Sequence, residues 1–243
     1  MSTLERGGVR LWYEIAGSGP ALLLTHGFTG SSSDFAKNVE PLARENTVIT
    51  WDLRGHGRSD CPADPAAYSV PLCVADMAAL LAVAGAERAM LAGHSLGGFL
   101  SLEFLLAYRA RIAGLILVDT GPGYRKDEPR AGWNKRAEGF ARDFEARGGE
   151  RALGLSRAAR GILAQHDARV LESLPRISVP TLVVVGEHDQ PFLAGSRYMA
   201  EKIPGAKLEV IANAAHSPNV DQPEAFARVV TDFIATAIPA GSR

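Results

Sequence analysis

AMLAGHSLGGFLSLEFLLAY, residues 89–108, joins a short apolar run to an amphipathic segment through the pentapeptide GHSLG at 93–97. The apolar run is typical of a buried strand and the segment after it of a helix, so this G-x-S-x-G pattern lies where a strand passes into a helix. A serine in so tight a turn is held in a strained backbone conformation, and small neighbours avoid clashes there. Three glycines meet that need: Gly93, Gly97 and Gly98. Ser95 could also be a plain helix N-cap, but its position at the junction favours a catalytic nucleophile.

The rest of the chain repeats this alternation of strand and helix patterns. Seven runs are predicted as strands: VRLWYEI (9–15), ALLLTH (21–26), TVITWD (47–52), AMLAGH (89–94), IAGLILVD (112–119), TLVVVGE (181–187) and KLEVIA (207–212). Helical patterns lie between them, at about 34–44, 71–85, 96–109, 196–203 and 222–237. Several of the strands are apolar throughout, as buried parallel strands are. The chain is therefore predicted to be an α/β protein with a mostly parallel, doubly wound sheet.

Two segments interrupt the alternation. Residues 1–16 have no helix between their halves and turn at Gly7-Gly8, which predicts an antiparallel hairpin at the edge of the sheet. From 121 to 176 the sequence is rich in Arg, Ala, Gly and Glu, with helical periodicity but no strand pattern. We interpret this segment as a small helical cap over the carboxyl edge of the sheet. The predicted domains are a core of residues 1–120 and 177–243 and a cap of residues 121–176.

A catalytic serine needs a base, because its hydroxyl is a poor nucleophile until a neighbouring group takes the proton. The chain has six histidines: His26, His56, His94, His166, His188 and His216. A lone histidine in a loop is more often solvated or structural than catalytic. His216, however, lies between the final strand and the final helix, which places it at the same edge of the sheet as Ser95. His216 is therefore the predicted general base.

The imidazole in turn needs a carboxylate that holds its tautomer and stabilises its charge. Asp189, in GEHD just after the strand TLVVV, is the predicted acid. Glu187 is nearer the strand, and Asp119 at the end of LILVD could also reach the histidine. Asp119 has structural alternatives as a helix cap or a salt-bridge partner. The chain order serine, acid, histidine fits Asp189.

Acyl transfer also requires hydrogen-bond donors for the developing oxyanion, usually two backbone N–H groups. The segment THGFTG (25–30) follows the strand ALLL and can offer the N–H of Phe28. The turn after Ser95 can offer the N–H of Leu96. His26 and Gly27 could instead form only a tight turn at the end of the strand. That turn would have the same backbone geometry, so it does not exclude Phe28 as an oxyanion donor.

Five motifs together resemble the α/β-hydrolase family: THGF (25–28), DLRGHGRSD (52–60), GHSLGG (93–98), GEHD (186–189) and AAHSPNVDQPEAF (214–226). The resemblance covers essentially all of the chain outside the insertion, and it implies the α/β-hydrolase fold. It implies the triad Ser95, Asp189 and His216, with Phe28 and Leu96 as oxyanion donors. The run from 159 to 206 also resembles the end of the cap and the next strand of capped hydrolases related to enol-lactonases and to the cyclohexadiene-carboxylate synthase of menaquinone synthesis, which implies a lyase of that type as one alternative reaction.

The resemblance implies a structural turn, without a catalytic role, for residues 52–60. In that turn Asp52, Arg54 and His56 are expected to make local hydrogen bonds. The serine at position 95 separates the chain from the dehalogenase and epoxide-hydrolase branches of the family, which use aspartate there.

Composition narrows the function further. The formal net charge is −1 and the pI about 6.6, so the chain lacks the basic field that draws proteins to nucleic acid or anionic lipid. The chain shows no run of about eighteen apolar residues and no secretory signal, so we expect a cytoplasmic protein without a membrane partner. Its two cysteines, Cys61 and Cys73, are interpreted as ordinary thiols. The histidines show no metal-binding spacing, so neither a metal nor another cofactor is expected.

The cap has an excess of basic residues: Arg125, Lys126, Arg130, Lys135, Arg136, Arg142, Arg147, Arg151, Arg157 and Arg160. They could recognise a carboxylated substrate, but a solvated helical surface with i,i+4 pairs such as Glu138 to Arg142 is the simpler interpretation. Trp133, Phe140 and Phe144 could line an acyl pocket or anchor the cap to the sheet, and anchoring is the simpler interpretation for most of them.

The residues favour a serine hydrolase that cleaves small carboxylic esters through an acyl-enzyme, acting as a monomer or a homodimer. Three alternatives use the same triad on another carbonyl compound: enol-lactone opening, C–C bond hydrolysis and a lyase reaction. A non-catalytic small-molecule receptor is a more distant alternative, because a receptor would not need an intact triad.

Overall fold

Apolar runs along the chain form one sheet in a computed structural model, which describes residues 2–237. The described strands are β1 (Ser2–Glu5), β2 (Arg10–Ala16), β3 (Ala21–Thr25), β4 (Thr47–Trp51), β5 (Ala89–His94), β6 (Ile112–Val118), β7 (Thr181–Gly186) and β8 (Lys207–Ile211). Each predicted run lies within one residue of a strand at both ends. Their order in the sheet is β1-β2-β4-β3-β5-β6-β7-β8.

The sheet is parallel from β4 to β8 and antiparallel only at its first edge. There β2 pairs antiparallel with both β1 and β4. The predicted hairpin is confirmed, since Glu5 pairs with Arg10 across a turn in which Gly7 and Gly8 have φ of +59° and +78°. Positive φ at both central residues is the type I′ geometry that glycine permits.

Helices cover both faces of the sheet. The described helices are α1 (Ala36–Leu42), α2 (Val70–Val83), α3 (Leu96–Ala107), α4 (Asp127–Arg147), α5 (Glu150–Ala158), α6 (Arg169–Ser173), α7 (Gln190–Lys202), α8 (Pro218–Asp221) and α9 (Pro223–Ala237). The predicted start of α7 at 196 is wrong by six residues. Pro191 occupies the first turn, where its missing N–H costs nothing, and Gly195 weakens the helical pattern before the middle of the helix.

Alternate residues of each central strand enter two apolar layers. On β3, Leu22 and Leu24 pack in the layer that holds Phe226 of α9, whereas Leu23 packs in the layer that holds Leu100 of α3. None of these leucines exposes any surface. Burial on both faces explains why the central strands are apolar throughout.

The loop after β4 is held mainly by its charged residues. Oδ2 of Asp52 accepts from the backbone N–H of Arg58 (2.7 Å), and Nδ1 of His56 donates to the carbonyl of Arg54 (2.9 Å), which confirms two of the expected local bonds. Arg54 takes part in the second of these bonds through its carbonyl, and its guanidinium donates to Asp76 on α2, outside the turn. Because both side chains are buried, the pair satisfies charges that would be costly alone.

Residues 121–176 contain helices joined by irregular segments and no strand, and this whole segment is described. It comprises α4, α5, a π-helical turn at Ala159–Leu163, α6 and a 3-10 turn at Leu174–Arg176. As anticipated from the sequence, Glu138 and Arg142 form an i,i+4 pair at 3.6 Å. The second part of the predicted core is residues 177–243. Its last six residues, 238–243, lie outside the described part of the chain.

Two further features concern the cysteines and the helices. Cys61 and Cys73 are buried free thiols. None of the helices described combines the length and apolar character needed to cross a bilayer.

Candidate active site

The junction of β5 and α3 gives Ser95 an unusual backbone. Its φ and ψ are +51° and −113°, a conformation that a non-glycine residue rarely adopts. Two hydrogen bonds hold it: Ser95 N–H donates to the carbonyl of Val118 (2.8 Å), and the hydroxyl of Thr120 donates to the carbonyl of Ser95 (2.6 Å). The end of β6 thus fixes the serine above the sheet.

Glycine is required around Ser95 because the backbone segments touch there. A Cβ on Gly93 would lie 2.2 Å from the carbonyl carbon of Gly97, and one on Gly97 would lie 2.1 Å from the carbonyl oxygen of Thr25. A Cβ on Gly98 would lie 2.5 Å from a methyl group of Thr120. These distances are far below any real contact, so the three glycines are necessary for this turn.

His216 approaches Ser95 from the loop between β8 and α8. Its Nε2 is 3.0 Å from the Oγ of Ser95, and its Nδ1 is 2.7 Å from Oδ2 of Asp189. The carboxylate accepts from Nδ1–H, which leaves the Nε2 lone pair to accept the serine proton. The structure therefore brings together the three residues that the sequence singled out.

Asp189, rather than its two competitors, contacts the imidazole. It follows β7, and its N–H donates to the carbonyl of Gly186 (3.1 Å). The side chain of Glu187 accepts from the N–H of Asn213 (3.0 Å) and so holds the loop after β8. Asp119 lies nearby but forms no hydrogen bond with His216 among the described residues.

The loop after β3 lies beside the serine. A Cβ on Gly27 would be 3.1 Å from the Cβ of Ser95. His26 is completely buried, and its Nε2 accepts from the N–H of Leu53 (3.0 Å), so its Nδ1–H donates to the carbonyl of Gly27 (2.8 Å). Burial lowers the pKa of His26, which keeps this ring neutral.

The two expected oxyanion donors come from this loop and from the first turn of α3. Within the described residues, the backbone N–H groups of Phe28 and Leu96 have no acceptor. Unpaired N–H groups that flank a nucleophile are available to a ligand oxygen.

His94 is a site residue that the sequence interpretation missed. Its Nε2–H donates to the carbonyl of His216 (2.5 Å), and the two rings lie 5.0 Å apart. Burial and the neighbouring His216 lower the pKa of His94 to about 4, so the ring is neutral. The x position of a G-x-S-x-G motif carries no signal for this contact, which depends on a residue 122 positions away.

A cavity of about 260 Å³ opens beside Ser95. Trp133 and Leu163 of the helical segment and Phe192 of α7 form apolar walls, and Arg136 is the only charged side chain lining it among the described residues. Trp133 also donates its ring N–H to the carbonyl of Leu163 (2.9 Å). The cavity has room for a small organic molecule next to the serine.

Phe140 and Phe144 of the helical segment pack on the loop after β3. Phe140 and Phe144 lie 5.8 and 6.0 Å from the ring of Phe28, measured between ring centroids. The anchoring interpretation therefore fits these two residues, whereas Trp133 lines the cavity.

One group of side chains has the donor types of a metal site. Single donor atoms of Asp119, Asp189 and His216 lie within 4.8 Å of one another. Both ring nitrogens of His216 already have partners in Ser95 and Asp189. A metal ion here would displace one of those partners, so the arrangement suits proton transfer better than metal binding.

Comparisons with known proteins agree with the fold. A sequence model of the alpha/beta hydrolase family matches residues 22–229. A putative carbamate hydrolase, RutD, from Pseudomonas savastanoi pv. phaseolicola is 30% identical over 88% of this chain and 93% of its own length. A putative 2-succinyl-6-hydroxy-2,4-cyclohexadiene-1-carboxylate synthase from Bacillus subtilis is 26% identical over 93% of this chain and 95% of its own.

Solved structures show the same architecture. A thermophilic esterase from Thermogutta terrifontis, solved with malate bound, has a TM-score of 0.82 and 29% identity, with 97% of each chain covered. The names of these three relatives describe three different reactions. The likeness therefore identifies a scaffold, and it leaves the substrate to be argued from the site.

Proposed function

Because the chain belongs to the α/β-hydrolase family, we propose that it is a serine hydrolase that cleaves small carboxylic esters through an acyl-enzyme intermediate. The observation that carries this proposal is the continuous hydrogen-bonded series from Asp189 through His216 to Ser95 at the wall of an apolar cavity. In this series the hydroxyl, the base and the orienting carboxylate are all within hydrogen-bonding distance before substrate arrives.

Acylation begins when Nε2 of His216 takes the hydroxyl proton of Ser95 and Oγ attacks the ester carbonyl carbon. The carbonyl oxygen becomes an oxyanion, which the N–H groups of Phe28 and Leu96 stabilise. The imidazolium, held by the carboxylate of Asp189, then gives its proton to the leaving alkoxide. The alcohol departs and the acyl group remains on Oγ of Ser95.

Deacylation repeats these steps with water. His216 takes a proton from the water, the resulting hydroxide attacks the acyl carbon, and the protonated imidazole returns the proton to Oγ of Ser95 as the acid leaves. Every proton is carried by groups of the chain, so the proposed reaction needs no cofactor or metal.

The cavity limits the substrate to a small molecule. A volume of about 260 Å³ and mostly apolar walls suit a short or medium acyl chain. We further propose that residues 121–176 act as a cap that supplies one wall, since Trp133 and Leu163 come from this segment. A cytoplasmic location and a monomeric or homodimeric state complete the proposal.

The first test measures turnover of p-nitrophenyl acetate, butyrate and octanoate by wild type and by Ser95→Ala. We expect the wild type to turn over and the variant to lose roughly four to six orders of magnitude in kcat, as serine hydrolases do without their nucleophile. Ser18→Ala, in an exposed loop before β3, is the matched control and should keep wild-type activity.

Covalent labelling gives a second readout. A fluorophosphonate should add one label per chain, located at Ser95 by peptide mass spectrometry, and Ser95→Ala should take none. A folded wild type that neither hydrolyses the three esters nor takes the label would contradict the proposal. A wild type that takes the label without hydrolysing these esters would point to enol-lactone opening, C–C cleavage or a lyase reaction at the same serine.

A further inference from the structure

Asp119 directly follows β6, and its carboxylate lies close to atoms of the triad residues Asp189 and His216 that could accept or donate a proton. Its φ is +42°, which aspartate tolerates better than most residues, and it exposes no surface. Its N–H donates to the carbonyl of Val184 (2.9 Å), and its Oδ1 accepts from the N–H of Gly186 (3.0 Å). These bonds tie the residue to β7, the strand that carries Asp189.

The second oxygen of Asp119 has no such partner. Oδ2 is buried and makes no hydrogen bond within the described residues. An ionised carboxylate can only accept hydrogen bonds, so a buried oxygen without a donor is costly. A protonated carboxyl group could instead donate from this oxygen.

An acceptor for that proton lies close by. A carboxylate oxygen of Asp189 and a ring nitrogen of His216 lie within 4.8 Å of a carboxylate oxygen of Asp119. Two carboxylates at this separation in a buried site cannot both ionise without strong repulsion. Asp189 already accepts from Nδ1–H of His216 at 2.7 Å, so it is the better-stabilised anion of the pair.

Within residues 2–237, no basic side chain offsets the charge on Asp119. The titratable groups that face it are Asp189, His216 and Asp221, and Asp221 is itself an acceptor for the N–H of Ala215 (2.8 Å). No lysine or arginine of the described chain forms an ion pair with it. Burial, followed by the proximity of Asp189, raises the pKa of Asp119 well above its ordinary value.

We propose that Asp119 is a positioning residue of the triad: it remains protonated during turnover and donates Oδ2–H to the carboxylate of Asp189. This inference rests on the proposed function of the triad. Asp189 then accepts from Asp119 on one side and from His216 on the other, so its carboxylate is fixed toward the imidazole. Loss of the Asp119 proton removes that donor and places a second negative charge behind Asp189.

The test compares three variants with wild type: Asp119→Asn, Asp119→Ala and Asp189→Asn. Asparagine tolerates the positive φ, can accept from Gly186 and can donate to Asp189, but it cannot lose a proton. With p-nitrophenyl butyrate at neutral pH, Asp119→Ala should lower kcat about tenfold with little change in KM, and Asp119→Asn should recover most of that loss. Asp189→Asn should lower kcat by about 10⁴-fold, as in other serine triads.

The pH profile separates positioning from mere structural support. The kcat of wild type should decline on the alkaline side as Asp119 loses its proton, and Asp119→Asn should lack that decline. The same proton links stability to pH. Asp119 binds it more tightly in the folded state than in the unfolded state. The contribution of Asp119 to the free energy of unfolding therefore falls as pH rises from the ordinary pKa of an aspartate to the raised pKa of Asp119. Asp119→Asn should lose less stability over that interval, as measured by urea midpoints.

Infrared spectroscopy gives a readout that does not depend on turnover. Wild type labelled with ¹³C-aspartate should show the C=O stretch of a buried carboxylic acid near neutral pH, and Asp119→Asn should lack that band. Absence of the band from wild type overturns the inference, and so does an Asp119→Asn variant as inactive as Asp189→Asn, which would make Asp119 the ionised acid. If wild type shows the band but cleaves no ester, the proposed function fails while the protonation of Asp119 stands.

Discussion

Ser95 shows how single residues carry the geometry of this site. Its backbone conformation costs about 1–3 kcal/mol in isolation. The bonds to Val118 and from Thr120 hold it in place. Hydrogen bonds to the end of β6 therefore hold the strained backbone, and the serine side chain takes no part in them.

Gly93 offers a direct test of this packing. Gly93→Ala should destabilise the fold by several kcal/mol, because its Cβ would lie 2.2 Å from the backbone of Gly97 and neither segment can move. Urea unfolding measures the change. Gly139→Ala is the matched control: nothing lies within 4 Å of a Cβ there, and alanine should stabilise α4 by about 0.5–1 kcal/mol. Equal stability of the Gly93 and Gly139 variants would contradict the packing argument.

For single residues, the sequence predicts which side chains form the triad but not which residues contact them. The G-x-S-x-G motif and the chain order serine, acid, histidine were sufficient to predict Ser95, Asp189 and His216 as a triad. The contact of His94 with the His216 loop, and the proximity of Asp119 to Asp189, depend on distances across the sheet that no local pattern encodes.

Among the helices and strands, α4 has one face whose role could not be predicted from the sequence alone. Trp133, Arg136 and Phe140 are three and four residues apart, so they share one side of the helix. Trp133 and Arg136 line the cavity, whereas Phe140 packs on Phe28. Most arginines of residues 121–176 make other contacts, such as Arg160 with Glu138 and Glu145, but Arg136 has no ion pair within the described residues.

Arg136 should therefore bias the site toward anionic esters. For monomethyl glutarate, Arg136→Gln should raise KM about three- to fivefold, the effect of losing a solvent-exposed charge pair. For neutral methyl pentanoate the same variant should change KM little. Acid release in a pH-stat measures both. Lys135→Gln, an exposed neighbour outside the cavity, is the control, and an equal effect of the two variants would show that only general charge matters.

Helix boundaries were harder to predict than strands. The strands could be located to within one residue because apolar runs end sharply at polar loops. The start of α7 was missed because Pro191 and Gly195 look like turn residues but are accommodated inside the helix. The π-helical turn at Ala159–Leu163, which packs against α4 and α5, has no distinctive composition and was not predicted.

For the whole molecule, the sheet brings several polar groups into the interior, and their protonation links the fold to pH. Burial, with a smaller contribution from His26, lowers the pKa of His56 to about 3. Burial likewise lowers the pKa of His94 to about 4. The unfolded chain thus binds protons below about pH 6.5 that the folded chain excludes.

The contributions of His56 and His94 to the free energy of unfolding should therefore be greatest above about pH 6.5 and decrease as pH drops toward 4, opposite in sign to the contribution of Asp119. Between pH 7.5 and 5 each of these two histidines should remove about 2 kcal/mol, seen as the difference in urea midpoints between wild type and a variant that lacks the histidine. His56→Asn keeps a donor for the carbonyl of Arg54 and should reduce the loss. The exposed His166→Asn serves as control, and an identical pH slope for His56→Asn and wild type would refute this assignment.

The overall architecture was predictable from the sequence as a mostly parallel sheet with an antiparallel first edge. The alternation of apolar runs and amphipathic segments carries that information. The pairing of β2 with β4, which skips β3, is set by how the strands pack together and has no signature in either strand.

The connection between β6 and β7 has an evolutionary consequence. These strands are direct neighbours, with Leu115 paired to Thr181 and Val118 to Val184, yet more than sixty residues separate their ends along the chain. We expect that residues 121–176 of that connection, which lie beyond Asp119 and Thr120, can be lengthened, shortened or exchanged between related proteins without altering the strand register or the positions of Ser95 and His216. Selectivity and reactivity can thus be inherited independently, and grafting this segment from a relative is a practical route to new substrates.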